Sequence, residues 1–183
     1  MIIGIDEVGR GSLCGPLVVG CVSLKKNKFK FKDSKKLTKS QRISAYNNIM
    51  INSKFHSVGY VWPYEIDKLG LSKATAVAIL RALGNIDILR HQILIDGSYN
   101  FLGLKNVKTI IKGDSLNQDI AAASILAKVT RDKLMSAYAT LYSNYLLEKN
   151  MGYGTKEHYL KIFSNGLSPI HRLSFLKKLE ISL

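Results

Sequence analysis

The chain has 183 residues, 46% hydrophobic and 22% charged, ordinary proportions for a globular protein and enough chain for one domain to bury its own core. Lys and Arg number 27 against 13 Asp and Glu, a formal net charge of +14, which directs attention to an anionic partner, nucleic acid above all. No apolar run reaches membrane-spanning length, no basic leader precedes the first acids, and Cys14 and Cys21 are too close together to suggest a structural disulfide; a reducing, cytoplasmic setting away from membranes is expected.

In chain order, residues 1–6 read as a short buried strand and 8–16 as a glycine-rich loop. Residues 17–24, continuous and β-branched, read as a second strand. The lysine-rich stretch 25–39 reads as an exposed connection. Thr38 followed by Gln41 is a capping-box signature that starts a helix to about Asn52. A third strand is predicted over 55–62, a helical turn from Pro63 to near Gly70, and a helix from Ser72 through Arg81. A fourth strand, 93–95, delivers Asp96-Gly97, and a fifth, 107–111, is closed by Lys112-Gly113-Asp114. The longest helix is predicted over about 117–142, with Ile120, Ala123, Ala127, Leu134 and Leu141 on its inner stripe. The part from Met151 onward holds a Gly-Tyr-Gly loop and two helical stretches separated by Pro169. The expectation is one α/β domain, 1–183: a mixed five-stranded sheet flanked by helices, with a helical C-terminal part.

Four acids stand at or just past the ends of apolar strands: Asp6, Glu7, Asp96 and Asp114. Neighbouring side chains on a regular strand point to opposite faces, so Asp6 and Glu7 are expected to share a site only if the strand ends or bends between them, a freedom that Val8-Gly9 offers. Three or four carboxylates suit a hard, octahedral cation such as Mg²⁺ or Mn²⁺. Two such ions about 4 Å apart would activate a water and stabilise the leaving oxygen of an in-line displacement at phosphorus. Each acid also has an ordinary explanation: Asp96-Gly97 as a turn, Asp114 with Ser115 as a helix cap, Asp6-Glu7 as a solvated strand end. Their common arrival at strand ends favours chemistry. The histidines (His56, His91, His158, His171) are scattered and Cys14 has no patterned His partner, so no zinc cluster is expected. Asp132, four residues after Lys128, reads as an ordinary surface ion pair.

The run Gly4-Ile5-Asp6-Glu7-Val8-Gly9-Arg10-Gly11, followed by Gly15-Pro16-Leu17, resembles the opening of the ribonuclease HII family, the bacterial type 2 ribonucleases H. Asp33-Ser34-Lys35-Lys36-Leu37, Ile95-Asp96-Gly97, Lys112-Gly113-Asp114, the run from Ile120 to Asp132, Gly152-Tyr153-Gly154-Thr155-Lys156-Glu157-His158 and Pro169-Ile170-His171-Arg172-Leu173-Ser174-Phe175 extend the likeness over nearly the whole chain. The resemblance implies an RNase H-like fold and hydrolysis of RNA in RNA–DNA hybrids. It also implies cutting on the 5′ side of single ribonucleotides embedded in duplex DNA, leaving a 3′-hydroxyl and a 5′-phosphate, and hence removal of misincorporated ribonucleotides. It makes Asp6, Glu7, Asp96 and Asp114 the catalytic, metal-binding acids. Gly9, Arg10 and Gly11 then read the ribose 2′-hydroxyl through the main chain, and Tyr153 packs on the sugar at the RNA–DNA junction. Lys35 and Lys36 hold phosphates. Arg10 separates the chain from ribonuclease HIII, which typically has Lys there, and Met151 stands where many relatives have Lys. A monomer acting on hybrid and ribonucleotide-containing duplex is expected. The rival readings are a non-catalytic basic nucleic-acid-binding module and a general DNA nuclease on the same fold.

Overall fold

The computed structural model describes residues 1–25, 31, 34 and 37–176. Strands β1 (Ile2–Val8), β2 (Leu17–Leu24) and β3 (Ser53–Val61) form an antiparallel meander; β4 (Gln92–Asp96) and β5 (Val107–Ile110) add in parallel on the other side of β1. The order is β3-β2-β1-β4-β5, the expected five-stranded mixed sheet. Because β1, β4 and β5 run the same way, their C-terminal ends lie on one edge, and the segments carrying Asp6-Glu7, Asp96 and Asp114 all leave the sheet there.

The sequence expects β1 to end at Asp6; it continues to Val8. Its pairing with β2 keeps an unbroken register from Gly4 to Val8, whereas its pairing with β4 stops at Ile5 opposite Ile95. No break therefore separates Asp6 from Glu7. The strand overruns its parallel neighbour, and this leaves both sides of its last turn of pleat open to the end of β4.

The two faces of the sheet are covered differently. Ile3 and Ile5 of β1 pack with Ala74, Ala78, Ile79 and Ala82 of α3 (Leu71–Leu83), beside the short α2 (Pro63–Leu69). The other face meets α5 (Gln118–Leu141) and α1 (Lys39–Asn52). A Cβ on Gly4 would collide with the Asp119–Ile120 backbone, and one on Gly20 with the Ala123 carbonyl. Glycine in the strands and Ala121-Ala122-Ala123 in the helix together let the two backbones approach closely, and that approach brings Ser124 to Asp6 near the end of β1.

Local signals are met where expected. The Thr38 hydroxyl accepts from the Gln41 N–H at 3.3 Å, and the Gln41 side chain accepts from the Thr38 N–H at 3.0 Å. The inner stripe of α5 is a correction. Its first two turns, Ile120 to Ala127, are buried all round, and thereafter Arg131 and Met135 face inward while Leu141 is 74% exposed. The helix outruns the sheet, so its second half packs against a separate cluster and not along one continuous stripe.

That cluster joins Leu13, Cys14 and Met135 to Tyr145, Leu147, Ile162, Ile170 and Leu176 from the helical C-terminal part: α6 (Leu147–Asn150), α7 (Lys156–Asn165) and α8 (Leu173–Leu176). It ties the glycine loop after β1 to the helices from α6 to α8. Both cysteines are buried and free, and among the described residues no helix is long and apolar enough to cross a membrane.

Candidate active site

At the C-terminal edge of the sheet, Asp6, Glu7 and Asp96 line a cavity of about 360 Å³ together with Ser34, Ser124, Lys128 and Tyr153. Glu7 and Asp96 also line a second recess on the opposite face, with Arg10, Ser72, Tyr99 and Phe101. Asp6 and Glu7 thus obey the alternation of the strand, one toward α5 and one toward α3. They meet because Asp96, at the end of the adjacent shorter strand, stands between the two faces. Gly113 N–H, at the start of α4 (Gly113–Leu116), donates to Asp96 Oδ1 at 2.7 Å and fixes that carboxylate. Asp114 follows directly and is buried. It does not cap the long helix: Asn117 does, accepting from the Asp119 and Ile120 N–H groups.

The electrostatics of this edge oppose the charge of the rest of the chain. Burial pushes the Asp6 carboxyl up to about 8, Ser124 hydrogen bonding offsets part of this, and the charges of Glu7 and Asp96 push it further. Glu7 is raised as well, first by burial, against the lowering pull of Arg10, whose Nη1 stands 3.6 Å from Glu7 Oε1. A hard cation relieves carboxylates held protonated by burial and by the neighbouring charge of Asp96, and an all-oxygen donor set of this kind fits Mg²⁺ or Mn²⁺.

The loop after β1 is built around two buried cations that the sequence reading passed over. Arg131 Nε donates to Pro16 O at 2.9 Å, Nη1 to Met151 O at 2.9 Å, and Nη2 to Ser12 Oγ at 2.9 Å and Cys14 O at 3.2 Å. Arg172 donates to Arg10 O at 2.9 Å and, through Nε and Nη2, to Gly15 O. Both side chains are fully buried, and burial depresses both pKa values, Arg172 to about 10. Their partners are main-chain carbonyls and one hydroxyl. Arg131 sits at Gly9, where a Cβ would strike its guanidinium, so Gly9 is required by packing. Gly11 differs: among the described residues a Cβ there meets nothing within 4 Å, and its φ is not among the positive ones. Arg10 is partly exposed, its guanidinium 5.2 Å from the Phe101 ring centroid. Tyr153, half-buried on its glycine-flanked turn, bridges to Ser12, and Arg131 lies 5.3 Å from its ring centroid. Lys35 and Lys36 lie outside the described residues.

Three more residues belong to the cavity. Ser34 Oγ and Ser124 Oγ are 2.9 Å apart, linking the connection after β2 to Asp6. Lys128 lines the cavity while pairing with Asp132 at 2.8 Å, the ion pair expected from the sequence; Arg42 joins that pair at 3.9 Å. Serines in an alanine-rich helix carry no signal of their own; only the contact with Asp6 singles out Ser124.

The histidines are not all scattered. Cys14, His158 and His171, buried and far apart in sequence, place their ligand-type atoms within 4.8 Å of one another. The bridge of Cys14 to His171 and the packing of α7 bring them together, contacts that spacing alone does not encode. The group is nevertheless poor for a cation: it supplies three donors where a structural zinc takes four. Burial holds the Cys14 thiol up at about 12, and the cations Arg131 and Arg172 are close enough to influence it. The imidazole lone pairs are also committed to hydrogen bonds.

Comparison with known proteins identifies the family and the fold. The family model for ribonuclease HII matches residues 3–178. The ribonuclease HII of Rickettsia bellii (strain OSU 85-389) is 45% identical over 181 residues, covering 98% of this chain and 91% of the relative. That of Prochlorococcus marinus (strain AS9601) is 42% identical, with 98% and 91% covered. The crystal structure of ribonuclease H2 from Pyrococcus horikoshii OT3 superposes with a TM-score of 0.80 at 28% identity, covering 99% of this chain and 97% of that one. With its RNase H-like sheet and its acidic edge, the chain belongs to the ribonuclease HII family and is a ribonuclease H, a metal-dependent hydrolase of phosphodiester bonds acting on RNA–DNA hybrids.

Proposed function

We propose that this ribonuclease H cuts on the 5′ side of single ribonucleotides embedded in duplex DNA, as well as within longer hybrids, leaving a 3′-hydroxyl and a 5′-phosphate. One observation carries the reading: the cavity of Asp6, Glu7 and Asp96 is shared with Tyr153 and adjoins a loop whose Gly11 has no steric need to be glycine. A main chain left bare for no internal reason suits close contact with a ribose, whose 2′-hydroxyl both donates and accepts.

Asp6, Glu7 and Asp96, with Asp114 beside them, would hold Mg²⁺ or Mn²⁺. When bound, the cation supplies an activated water and neutralises charge at phosphorus. The rest falls to the chain. Asp6 must give up its proton to serve as a ligand, and the Ser124 hydroxyl stabilises the resulting carboxylate. The Gly113 N–H keeps one Asp96 oxygen directed. Arg10 holds Glu7, and the exposed main chain at Gly11 is left to face the ribose. The phenol ring of Tyr153, steadied by Arg131, stacks on the sugar that follows. Lys128 contributes positive charge at the cavity wall, where phosphate must pass.

Two duplexes test this, identical except that one carries a single ribonucleotide. With Mg²⁺ the reading expects one nick, 5′ of the ribonucleotide, no cutting of the all-DNA duplex, and no product in chelator. Equal cutting of both duplexes would make the protein a general nuclease. Binding of both without cutting would make it a nucleic-acid-binding module.

A further inference from the structure

Next to the candidate site lie two histidines, fully or almost fully buried, that the reaction does not use: His158 on α7 and His171 before α8. Their hydrogen bonds fix where each proton sits. The backbone N–H of Ser168 donates to His171 Nδ1 at 3.0 Å, so that nitrogen carries a lone pair and the proton of the neutral ring is on Nε2. His171 Nε2 faces His158 Nε2 at 3.3 Å. His158 Nδ1 lies 2.9 Å from the Tyr153 carbonyl, an acceptor only, so Nδ1 bears the proton and Nε2 is free to accept from His171. The result is a directional chain: Ser168 N–H to His171, His171 to His158, His158 to the Tyr153 carbonyl. It works only with both rings neutral, and the surroundings keep them so. Burial lowers both pKa values, and His158 further lowers that of His171, to about 4.

The chain ends on the residue that lines the acidic cavity. Among the described residues the Tyr153 carbonyl has one other donor, the Thr155 N–H at 2.8 Å, within the same turn. The His158 bond is what ties this carbonyl to the body of the protein. Preceding atoms are held from the opposite side: Gly152 O accepts from Leu13 N–H at 2.8 Å, and Met151 O accepts from Arg131. With both sides held, the backbone of the turn that carries the Tyr153 ring is fixed.

We propose that His158 is a positioning residue for Tyr153: its Nδ1–H, in the tautomer imposed by His171, fixes the turn on which the tyrosine ring meets the sugar at the ribonucleotide–DNA junction. The proposal rests on the reading of Tyr153 given above.

The test compares kcat/KM on an embedded-ribonucleotide duplex with that on a continuous RNA–DNA hybrid, for wild type, Tyr153→Ala, His158→Gln and His158→Asn. Asn places its amide N–H near the imidazole Nδ1 position and Gln near Nε2. His158→Gln is expected to lose about 10- to 100-fold in junction preference, as a small misplacement of a contact group does, with melting temperature followed in parallel. His158→Asn is expected to restore most of that loss, and Tyr153→Ala/His158→Gln to be no worse than Tyr153→Ala alone. Wild-type preference in His158→Gln alongside a loss in Tyr153→Ala would overturn the positioning role and leave the tyrosine reading intact. Unchanged preference in Tyr153→Ala would remove the tyrosine reading, and the proposal with it. The ¹⁵N imidazole shifts of the wild-type protein give a check that needs no variant. They should report His158 protonated on Nδ1 and His171 on Nε2, and the reverse pattern, or charged rings at neutral pH, would refute the chain.

Discussion

Two neighbouring regions of this protein bury charge, and they do so in opposite ways. Arg131 and Arg172 are enclosed, and the N–H groups described above are directed at main-chain carbonyls and a hydroxyl of the loops they join. Asp6, Glu7 and Asp96 are gathered around a cavity, where burial first, and then the charge of Asp96, raises the proton affinity of both Asp6 and Glu7. The first arrangement is satisfied from within and serves as structure. The second is left in tension, which on the proposed reading a cation from outside would resolve. Buried charge is thus informative through its partners rather than its burial.

The sharpest way to break the contrast is at Asp96. Asp96→Asn keeps an oxygen for the Gly113 N–H, so the fold should hold, yet a charged ligand is gone. Cleavage should fall by about 10³-fold or more while hybrid binding, followed by fluorescence anisotropy, stays near wild type. Normal cleavage in Mg²⁺ would remove Asp96 from the metal site.

Neutralising one charge in each region should move stability in opposite directions. Arg131→Met leaves several carbonyls without donors and should cost about 3–5 kcal/mol in urea unfolding. Asp6→Asn should instead stabilise the metal-free protein. The folded pKa of Asp6, about 8, lies above its ordinary value of 3.8, so the metal-free fold loses stability as pH rises between those values, and the amide escapes that loss. A gain of about 1–2 kcal/mol at pH 9 is expected. Destabilisation by both substitutions would erase the distinction.

His171 gives a pH signature separate from the acids. Its folded pKa, about 4, lies below the ordinary 6.5, so its contribution is complete above pH 6.5 and is lost as pH falls toward 4. About 2 kcal/mol should disappear over that window in denaturant titrations, and His171→Asn should flatten the curve. The smallest expected effect is on selectivity. Gly11→Ala should leave the melting temperature unchanged, since nothing lies within 4 Å of the added carbon, but reduce ribonucleotide preference about tenfold.

Most of the sheet was legible because its signals are local: β-branched runs, the Thr38-Gln41 box, and glycines where strands end. That the acids leave the sheet at one edge was legible for a related reason, since parallel strands deliver their C-terminal residues there. What the sequence hid is long-range. Nothing near Arg131 or Arg172 indicates that each will grip the loop at residues 10–16, over a hundred positions away. His158 and His171 look unrelated to Cys14 until α7 folds against the glycine loop. The overrun of β1 past Ile5 was hidden as well, because it depends on where its neighbour β4 stops.

The most direct measurement is a Mn²⁺ titration of wild type, Asp6→Asn and Asp96→Asn, read by the paramagnetic signal of the free ion, at several pH values. Saturable binding to wild type that strengthens as pH rises toward 8, and is lost or greatly weakened in both variants, is the expected result. Equal binding by all three proteins would mean that these carboxylates do not hold the metal.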